Sequence, residues 1–393
     1  MTARTNMRSN TKITAEEAIG YRMAEHHLTS PAPDLDTAAG AVAVQNTPPG
    51  TAALALRCRV PELTPDAFST ALDADRSLLQ LWSLRQAPCV FPTRDLAVFT
   101  EPLVPDDEEA NRFAVGGLIA EFDKHDLRAG DMVATMREAI ETELDGKELS
   151  KRELGSALAP HFPKQLAALF EPDQFSSFTA VLARPVAVTG LFCFAPRRGN
   201  EASFVRTDQW LAAAPKPQPK PKKLSPKQAR IELLNRYLRC YGPSTPERLA
   251  EWAGVAPSVA QRIWDQGDLE QVRFEDHDAW VVAGAAKDYV DAPEPPAVRV
   301  IPPYDPYLYQ RDRATIADPA VHKQLWRATG NPGVVLERGR VTGTCRLEKK
   351  GKKLTAKVAA FGRFSKSTLT AIEKDLAGIE QFKGCSSLSI TTD

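Results

Sequence analysis

Apolar residues recur at helical spacing in the segment that follows a lysine-rich stretch in the middle of the chain. In ARIELLNRYLRCYG, Ile231, Leu234 and Leu238 lie on one helical face, and Gly242 is placed to end the helix. STPERLAEWAG and APSVAQRIWDQG predict two shorter helices, and LEQVRFEDHDAWVV predicts two strands with a turn near Asp276. Three helices followed by a hairpin is the order of a winged helix.

A similar order is predicted upstream. DMVATMREAIETELDGKELSKRELGSALAPHF predicts a long helix, a turn and a helix that begins after Ser150, with Glu153 at the distance of a capping box. VAVTGLFCFAPRRGNEASFVRTDQWL predicts two strands around the turn RRGN. The chain opening is interpreted as a third copy, with a helix capped by Thr14 and Glu17, a second helix over 35–45, and a helix joined to a short apolar strand in LLQLWSLRQAPCVF.

The pattern changes after DAPEPP, which begins at Asp291. The remaining segments are rich in β-branched residues, ERGR and KKGK are typical of hairpin turns, and one helix is predicted from Ser365 or Ser367. We therefore predict an α+β protein with tandem winged-helix (helix-turn-helix) domains and a β-rich C-terminal α+β domain. Its predicted segments are an N-terminal winged-helix-like domain 1–104, a second winged helix 105–214, a Pro/Lys linker 215–227, a third winged helix 228–296 and the C-terminal domain 297–393.

Charge is segregated along a chain whose 50 basic and 50 acidic residues cancel. Residues 101–145 carry 13 acidic and 4 basic side chains, whereas 197–239 carry 11 basic and 3 acidic, and 338–357 carry 8 basic and 1 acidic. Two basic blocks of this kind can form a cationic surface for phosphate at zero total charge. The alternative is that these runs are solvated faces balanced across domains.

Winged helices usually place their third helix in the major groove of double-stranded DNA, while the wing contacts phosphates, although the same fold also serves as a protein-docking module. The candidate DNA contacts lie on such helices, on a wing and in basic C-terminal segments: Lys151, Arg152, Arg197, Arg198, Gln261, Arg262, Arg311, Arg313, Lys349, Lys350, Lys352 and Lys353. Because no heptad or dimerisation helix is evident, we expect a monomer.

Several classes of protein and cofactor are disfavoured. The six cysteines are scattered singly, without a CxxC pair or a histidine at ligand spacing, so neither a metal site nor a disulfide framework is predicted. Without a GxGxxG, Walker, HExxH or GxSxG motif, no cofactor is expected. No apolar run approaches the roughly 20 residues of a membrane span, and no signal sequence opens the chain, so we expect a cytoplasmic, nucleoid-associated protein without membrane contact.

A polar triplet, Gln45-Asn46-Thr47, separates two apolar segments in GAVAVQNTPPGTAALALRCRV. Polar residues between two helices are either structural caps or members of a functional site, and their spacing alone favours caps. Thr47 is the predicted N-cap of the following helix, with Pro48 or Pro49 as its first residue.

Two further groups of polar residues have both a structural and a functional interpretation. His26 and His27 are adjacent on a helix and face different sides, so one is predicted to be packed and the other exposed. Asp305 lies in IPPYDPYLYQRDR among tyrosines and arginines, which either stack on nucleic-acid bases or pack the domain.

In their order and spacing, these segments resemble the bacterial tandem winged-helix DNA glycosylases of the AlkZ type, which repair alkylated or crosslinked DNA. The resemblance covers nearly the whole chain and is carried by YRMAEHHL, VQNTPPGTAALALRCRV, LWSLRQAPCVFP, the RRGN hairpin, VIPPYDPYLYQRDR and ERGRVTGT. It implies a catalytic Gln–hydrophobic–Gln or Gln–hydrophobic–Asp motif between two helices. A register without gaps places the two catalytic positions at Gln45 and Thr47, whereas a shifted register makes Gln45 the second residue of Ala43-Val44-Gln45.

The sequence departs from the family pattern at Thr47, at Cys89, where relatives often carry His, and at Cys345, where they often carry Trp. The resemblance nevertheless implies a monofunctional glycosylase for alkylated or bulky N7-purine adducts, with crosslinks among the candidate lesions. A purine alkylated at N7 carries positive charge and leaves readily, so an amide and a hydroxyl that position water suffice.

Gln45 would hold the water, with Thr47 or Asn46 as the second contact, and the motif lacks a lysine for a Schiff base. The competing interpretation is a non-catalytic winged-helix DNA-binding protein, either a transcription regulator or a damage-binding or resistance protein. The threonine at position 47 keeps this alternative open.

Overall fold

The computed structural model describes residues 8–170, 177–215 and 220–392. Its α-helices are α1 Ala15–Glu25, α2 Leu35–Ala41, α3 Thr51–Arg57, α4 Pro65–Ser69, α5 Glu108–Ala114, α6 Ile119–Lys124, α7 Ala129–Glu143, α8 Lys151–Leu158, α9 Ser177–Ala187, α10 Thr207–Ala212, α11 Pro226–Tyr241, α12 Pro246–Ala253, α13 Pro257–Trp264, α14 Ala286–Val290, α15 His322–Leu325 and α16 Lys366–Phe382. Its strands are β1 Arg8–Ile13, β2 Val44–Gln45, β3 Leu78–Trp82, β4 Pro88–Pro92, β5 Leu149–Ser150, β6 Phe192–Arg198, β7 Glu201–Arg206, β8 Leu269–Phe274, β9 His277–Val282, β10 Val298–Ile301, β11 Gly333–Glu337, β12 Arg340–Lys350, β13 Lys353–Ala360 and β14 Ser387–Thr392. Helices and small sheets give an α+β fold, which confirms the predicted class.

The described chain forms two units, each with its own core. The first contains residues 8–68, 234–249 and 267–392, and the second contains the described parts of 69–233 together with 250–266. The predicted third winged helix contributes residues to both units, and parts of the second winged helix (171–176) and of the linker (216–219) lie outside the described residues. The bounds of the five predicted segments therefore stay a prediction.

Two sheets build the first unit. The predicted hairpin β8–β9 is present, and β1 adds to it in parallel, with Ile13 opposite Phe274. The second sheet has the order β10-β11-β12-β13-β14, in which only β13 and β14 run parallel. Helix α16 makes the crossover between those two strands and buries Ile372, Leu376 and Ile379 against the sheet.

The helix α16 and both C-terminal hairpins agree with the sequence predictions. Ser365 is the N-cap of α16 and accepts the backbone N–H of Thr368 at 3.0 Å. The turns ERGR and KKGK join β11 to β12 and β12 to β13. The cap and the turns can be predicted from sequence because both depend on residues that are close along the chain.

The second unit packs α7, α8 and α9 around a core of leucine, methionine and phenylalanine side chains. Ser150 and Glu153 form the predicted capping box at the start of α8. The predicted RRGN hairpin is present as β6 and β7, and β5 pairs with β7. Phe192 and Phe204 from this hairpin pack on Trp82.

Two predicted elements near the start of the chain were wrong. LLQLWSLRQAPCVF forms the antiparallel strands β3 and β4, with Leu81 opposite Cys89, and not a helix followed by a strand. A short apolar run buried on both faces has no periodicity that separates strand from helix. Helix α2 ends at Ala41 and not at Gln45, because Val42 is extended with φ −148° and ψ 149°, a conformation that β-branched residues favour.

Candidate functional site

The residues that follow Gln45 build the start of helix α3. The side-chain oxygen of Asn46 accepts the backbone N–H groups of Gly50 at 2.8 Å and of Ala52 at 3.3 Å. The hydroxyl of Thr51 donates to the carbonyl of Pro48 at 2.8 Å. Gly50 occupies the N-cap position with φ +92°, a backbone conformation that would be strained for most other residues. Glycine has no side chain to accept hydrogen bonds from the first turn. Asn46 is therefore the structural cap of α3.

The predicted cap at Thr47 was wrong. Helix α3 begins at Thr51, so neither Pro48 nor Pro49 is its first residue. Asn46 has the longer side chain, which spans the loop to reach the free N–H groups, and Thr47 is left exposed.

The side-chain amide of Gln45 is held at both ends. Its oxygen accepts a hydrogen bond from the hydroxyl of Tyr309, and its nitrogen donates to the carbonyl of Thr47 at 3.3 Å. An amide oxygen has two lone pairs and an amide nitrogen two hydrogens, so each end keeps one further hydrogen-bonding position. Gln45 is half-buried, so these positions are available to a small polar group such as water.

Tyr309 ends a short 3-10 helix, Pro306–Tyr309. It lies in a pocket of mostly apolar and aromatic side chains, together with Tyr304, Leu308, Leu325, Trp326, Asn331 and Val334. The guanidinium of Arg313 lies over the ring of Trp326 at 4.6 Å. The segment that the sequence marked by its tyrosines and arginines therefore supplies the partner of Gln45.

A buried ion pair fixes this segment to the residues that directly follow α3. Arg59 donates to both carboxylate oxygens of Asp305, at 2.7 and 2.8 Å, and both side chains are buried. Burial opposes the charge of Arg59, but the carboxylate of Asp305 outweighs it, so the pKa of Arg59 lies above its ordinary value. Asp305 packs the domain, the structural one of its two interpretations. The pair, Arg59–Asp305, holds the Tyr309 segment against the chain that carries Gln45.

A second buried network lies in the same unit. Arg22 donates to Gln310 at 2.6 Å and to Asp312 at 2.8 Å. His26 is fully buried, and its Nε2 lies 3.2 Å from the carbonyl of Cys240. Burial and the nearby cation Arg59 hold the pKa of His26 well below its ordinary value of 6.5, so this histidine is neutral. His26 is the packed one of the two histidines, as predicted, but His27 is half-buried and not exposed, and both follow the end of α1 at Glu25, so they do not lie on the helix as predicted.

The predicted contacts on the RRGN wing are engaged with nearby groups. Arg198 pairs with Glu148 at 3.2 Å and with Glu153 at 3.0 Å, and Arg197 donates to the carbonyl of Asn200. Lys151 and Arg152 lie exposed in the first turn of α8. All four residues remain candidates, but Arg198 would have to leave two carboxylates to contact phosphate.

Acidic residues engage the predicted recognition helix α13. Arg262 pairs with Asp106 and, at 3.3 Å, with Asp107. Gln261 donates to Asp265 at 2.7 Å. The Arg262 pairs neutralise part of the acidic segment 101–145, and DNA binding through Arg262 would require them to break.

The basic hairpin β12–β13 carries the remaining candidates. Lys349 donates to the carbonyl of Lys383 at 2.6 Å, Lys352 to that of Gly384 at 3.3 Å, and Lys350 pairs with Glu348 at 3.1 Å. Lys353 is exposed at the turn, and Arg311 and Arg313 are half-buried beside the Tyr309 segment. The structure therefore places Gln45, Arg311, Arg313 and the lysine hairpin in the first unit, and the α8, wing and α13 candidates in the second.

Among the described residues, no group of three or more His, Cys, Asp or Glu side chains is arranged to hold a metal ion. No helix in the described ranges is long and apolar enough to cross a membrane. The contacts of the Gln45 side chain involve its amide, the hydroxyl of Tyr309 and the backbone carbonyl of Thr47.

Comparisons with known proteins confirm the resemblance. A family model described as DNA glycosylase AlkZ-like matches residues 38–382. A curated relative, the interstrand DNA cross-link repair glycosylase of Streptomyces sahachiroi, is 26% identical over 268 residues, which are 66% of this chain and 68% of the relative. The solved structure of the Streptomyces sahachiroi DNA glycosylase AlkZ covers 97% of this chain and 100% of its own, with a TM-score of 0.78 at 21% identity, a likeness of fold.

Proposed function

The chain belongs to the AlkZ-like family of DNA glycosylases, and from this premise we propose that it hydrolyses the N-glycosidic bond of alkylated or bulky N7-purine adducts, with Gln45 as the residue that positions water. The curated relative is named for interstrand cross-links, so we include unhooking of such cross-links in the proposal. We also propose that the protein acts as a monomer on double-stranded DNA and associates with the nucleoid.

The chemistry of the lesion fits a site without a strong acid. Cleavage passes through an oxocarbenium-like sugar, and a purine alkylated at N7 is already a cationic leaving group. The enzyme therefore has to orient water more than it has to protonate the base. From Gln45 to Val60 the sequence contains no Asp, Glu or Lys, so neither a carboxylate base nor a Schiff-base lysine is at hand in this segment.

The observation that supports Gln45 is the fixed orientation of its amide. With one lone pair of its oxygen used by the hydroxyl of Tyr309, the second is free to accept a hydrogen from water. Thr47, exposed beside it, is the proposed second contact, because the amide of Asn46 already caps α3. Tyr309 is then a positioning residue that acts through Gln45.

The test is single-turnover base release from a duplex that contains N7-methylguanine, with wild type and Gln45→Ala. We expect the variant to lose about 100-fold in rate, the scale of a misplaced reactant. The same duplex with uracil, a neutral leaving group, should give no release by either protein. Equal rates for wild type and Gln45→Ala on N7-methylguanine would contradict the assignment of the site.

A cross-linked duplex extends the test to the lesion in the relative's name. Wild type should separate the two strands, and Gln45→Ala should not. Tight, salt-sensitive binding without release from any of these substrates would instead identify a damage-binding or regulatory protein, the alternative that Thr47 keeps open.

A further inference from the structure

A basic cavity lies between helices α3 and α16 in the first unit. Its volume is about 160 Å³, many times the roughly 10–15 Å³ that admits one water molecule. The charged side chains that line it are Arg57, Arg299, Lys374 and Asp375. Three cations and one anion leave it with net positive charge.

Asp375, the carboxylate among these four side chains, already has partners. Asp375 accepts the backbone N–H of Val300 at 2.5 Å and lies 3.7 Å from Nε of Arg299. Arg299 also donates to the carbonyl of Cys58 at 2.6 Å. Asp375 and Arg299 therefore form the wall of the cavity, where each side chain hydrogen-bonds to a backbone group and the two charges oppose each other at ion-pair distance.

The other two cations have no such partner. Among the described residues, no hydrogen bond or ion pair engages Arg57 or Lys374. Arg57 is half-buried at the end of α3, and Lys374 is exposed on α16. Two unpaired cations at one cavity favour an anion with several acceptor oxygens, which a guanidinium binds well.

A glycine keeps this cavity open. Gly378 lies one turn after Lys374, on the same face of α16. A Cβ atom there would stand 3.2 Å from Nη2 of Arg57. Glycine inside a helix lowers helix stability, and any larger side chain at position 378 would press on the Arg57 guanidinium and take up space in the cavity.

We propose that this cavity binds one phosphate of the DNA backbone, through Arg57 and Lys374. The proposal rests on the DNA glycosylase function above, because that function supplies the ligand. From Thr51 to Arg57, helix α3 rises about 9 Å along its axis, roughly the rise of three nucleotides. Helix α3 thus connects the Gln45 motif at its start with a phosphate contact at its end, and so fixes the strand that carries the lesion.

The test measures binding to an undamaged duplex as a function of salt, which requires no catalysis. The variants are Arg57→Gln, Lys374→Gln and Gly378→Leu. The leucine fills the cavity without changing net charge and suits a helix better than glycine. The matched control is Lys366→Gln, an exposed lysine of the same helix that does not line the cavity. Urea denaturation checks that each variant is folded.

One phosphate contact contributes about 0.9 to the slope of log affinity against log salt. We expect each cavity variant to reduce the slope by about this amount, so that the affinity lost between 50 and 200 mM salt becomes three- to four-fold smaller. Lys366→Gln should keep the wild-type slope. The weakening should be equal for all DNA sequences, because phosphate carries no sequence information.

Three results would overturn the proposal. The first is a wild-type slope in all cavity variants. The second is a wild-type slope in Gly378→Leu together with a reduced slope in Arg57→Gln, which would make Arg57 a surface charge and not part of a phosphate cavity. The third is an equal reduction in Lys366→Gln. Base release by wild type is measured separately. A reduced slope without base release would support the phosphate site and contradict the function proposed for Gln45. Base release with an unchanged slope would support that function and contradict the phosphate site.

Discussion

The substitution Tyr309→Phe tests whether the fixed orientation of Gln45 serves catalysis. It deletes one hydroxyl, whose partner is the amide oxygen of Gln45, and keeps the ring in its pocket beside Trp326. A hydrogen bond of this kind contributes about 0.5–1.5 kcal/mol, which corresponds to a two- to ten-fold change in rate. We therefore expect single-turnover release of N7-methylguanine to slow by two- to ten-fold, with DNA affinity unchanged.

A double-mutant cycle shows whether Tyr309 acts through Gln45. In the Gln45→Ala background the hydroxyl has no amide to orient, so Tyr309→Phe should cause no further loss. The interaction energy of the cycle should then equal the whole effect of the single Tyr309→Phe substitution. An equal loss in both backgrounds would refute positioning and assign the hydroxyl a role of its own.

The matched control is Tyr304→Phe. Tyr304 lines the same pocket, and no hydrogen bond from its hydroxyl is formed within the described residues. Loss of this hydroxyl should leave base release at the wild-type rate. If Tyr304→Phe slows release as much as Tyr309→Phe does, the effect belongs to the polarity of the pocket and not to the orientation of Gln45.

Three further predictions concern stability. Arg59→Met leaves the buried carboxylate of Asp305 unpaired and should lower the free energy of unfolding in urea by about 3–5 kcal/mol; a loss below about 1 kcal/mol would contradict the ion pair. Asn46→Ala removes the cap of α3 and should lower the free energy of unfolding by about 1–2 kcal/mol. Asn46→Asp keeps the acceptor oxygen and should retain most of the stability. Equal Tm values for the two variants would argue against this cap. Because the pKa of His26 is lowered on folding, the unfolded chain binds the proton of this histidine more strongly than the folded chain does. The free energy of unfolding therefore has its full value above pH 6.5, the ordinary pKa of histidine. It falls as the pH decreases through that value, by up to about 1.4 kcal/mol per pH unit. His26→Gln should reduce the change of the urea midpoint between pH 7 and pH 5. An unchanged pH dependence of the midpoint would exclude His26 as its source.

The sequence predicted the features whose causes are local. The capping box of Ser150 and Glu153 and the N-cap Ser365 involve residues three apart, and the turns of the hairpins depend on four. The resemblance in turn singled out Gln45 and the segment that contains Asp305. Each of these signals is a property of a few neighbouring residues, which a single sequence displays.

The contacts that build the candidate site are not local. Gln45 and Tyr309 are 264 positions apart, and Arg59 and Asp305 are 246 apart. No periodicity relates residues at such distances, and many tyrosines and arginines were equivalent as partners. The pairing of β1 with β8 has the same origin, since a six-residue strand has no signal that selects its neighbour. Likewise, the charge of Arg262 was evident in the sequence, but its neutralisation by Asp106 and Asp107 was not.

The division of roles within Gln45-Asn46-Thr47 decides how the departure from the family pattern affects function. Asn46 is used by the backbone of α3, so the proposed site has one oriented amide, Gln45, and one exposed hydroxyl, Thr47. A threonine can hold water but cannot stabilise a developing sugar cation as an aspartate would. The larger share of the barrier then has to be removed by the leaving group itself, which a cationic N7-alkylpurine does and a neutral base does not. The substitution at position 47 is therefore expected to narrow the range of lesions toward the most labile purine adducts, while the orientation of Gln45 by Tyr309 preserves the placement of water.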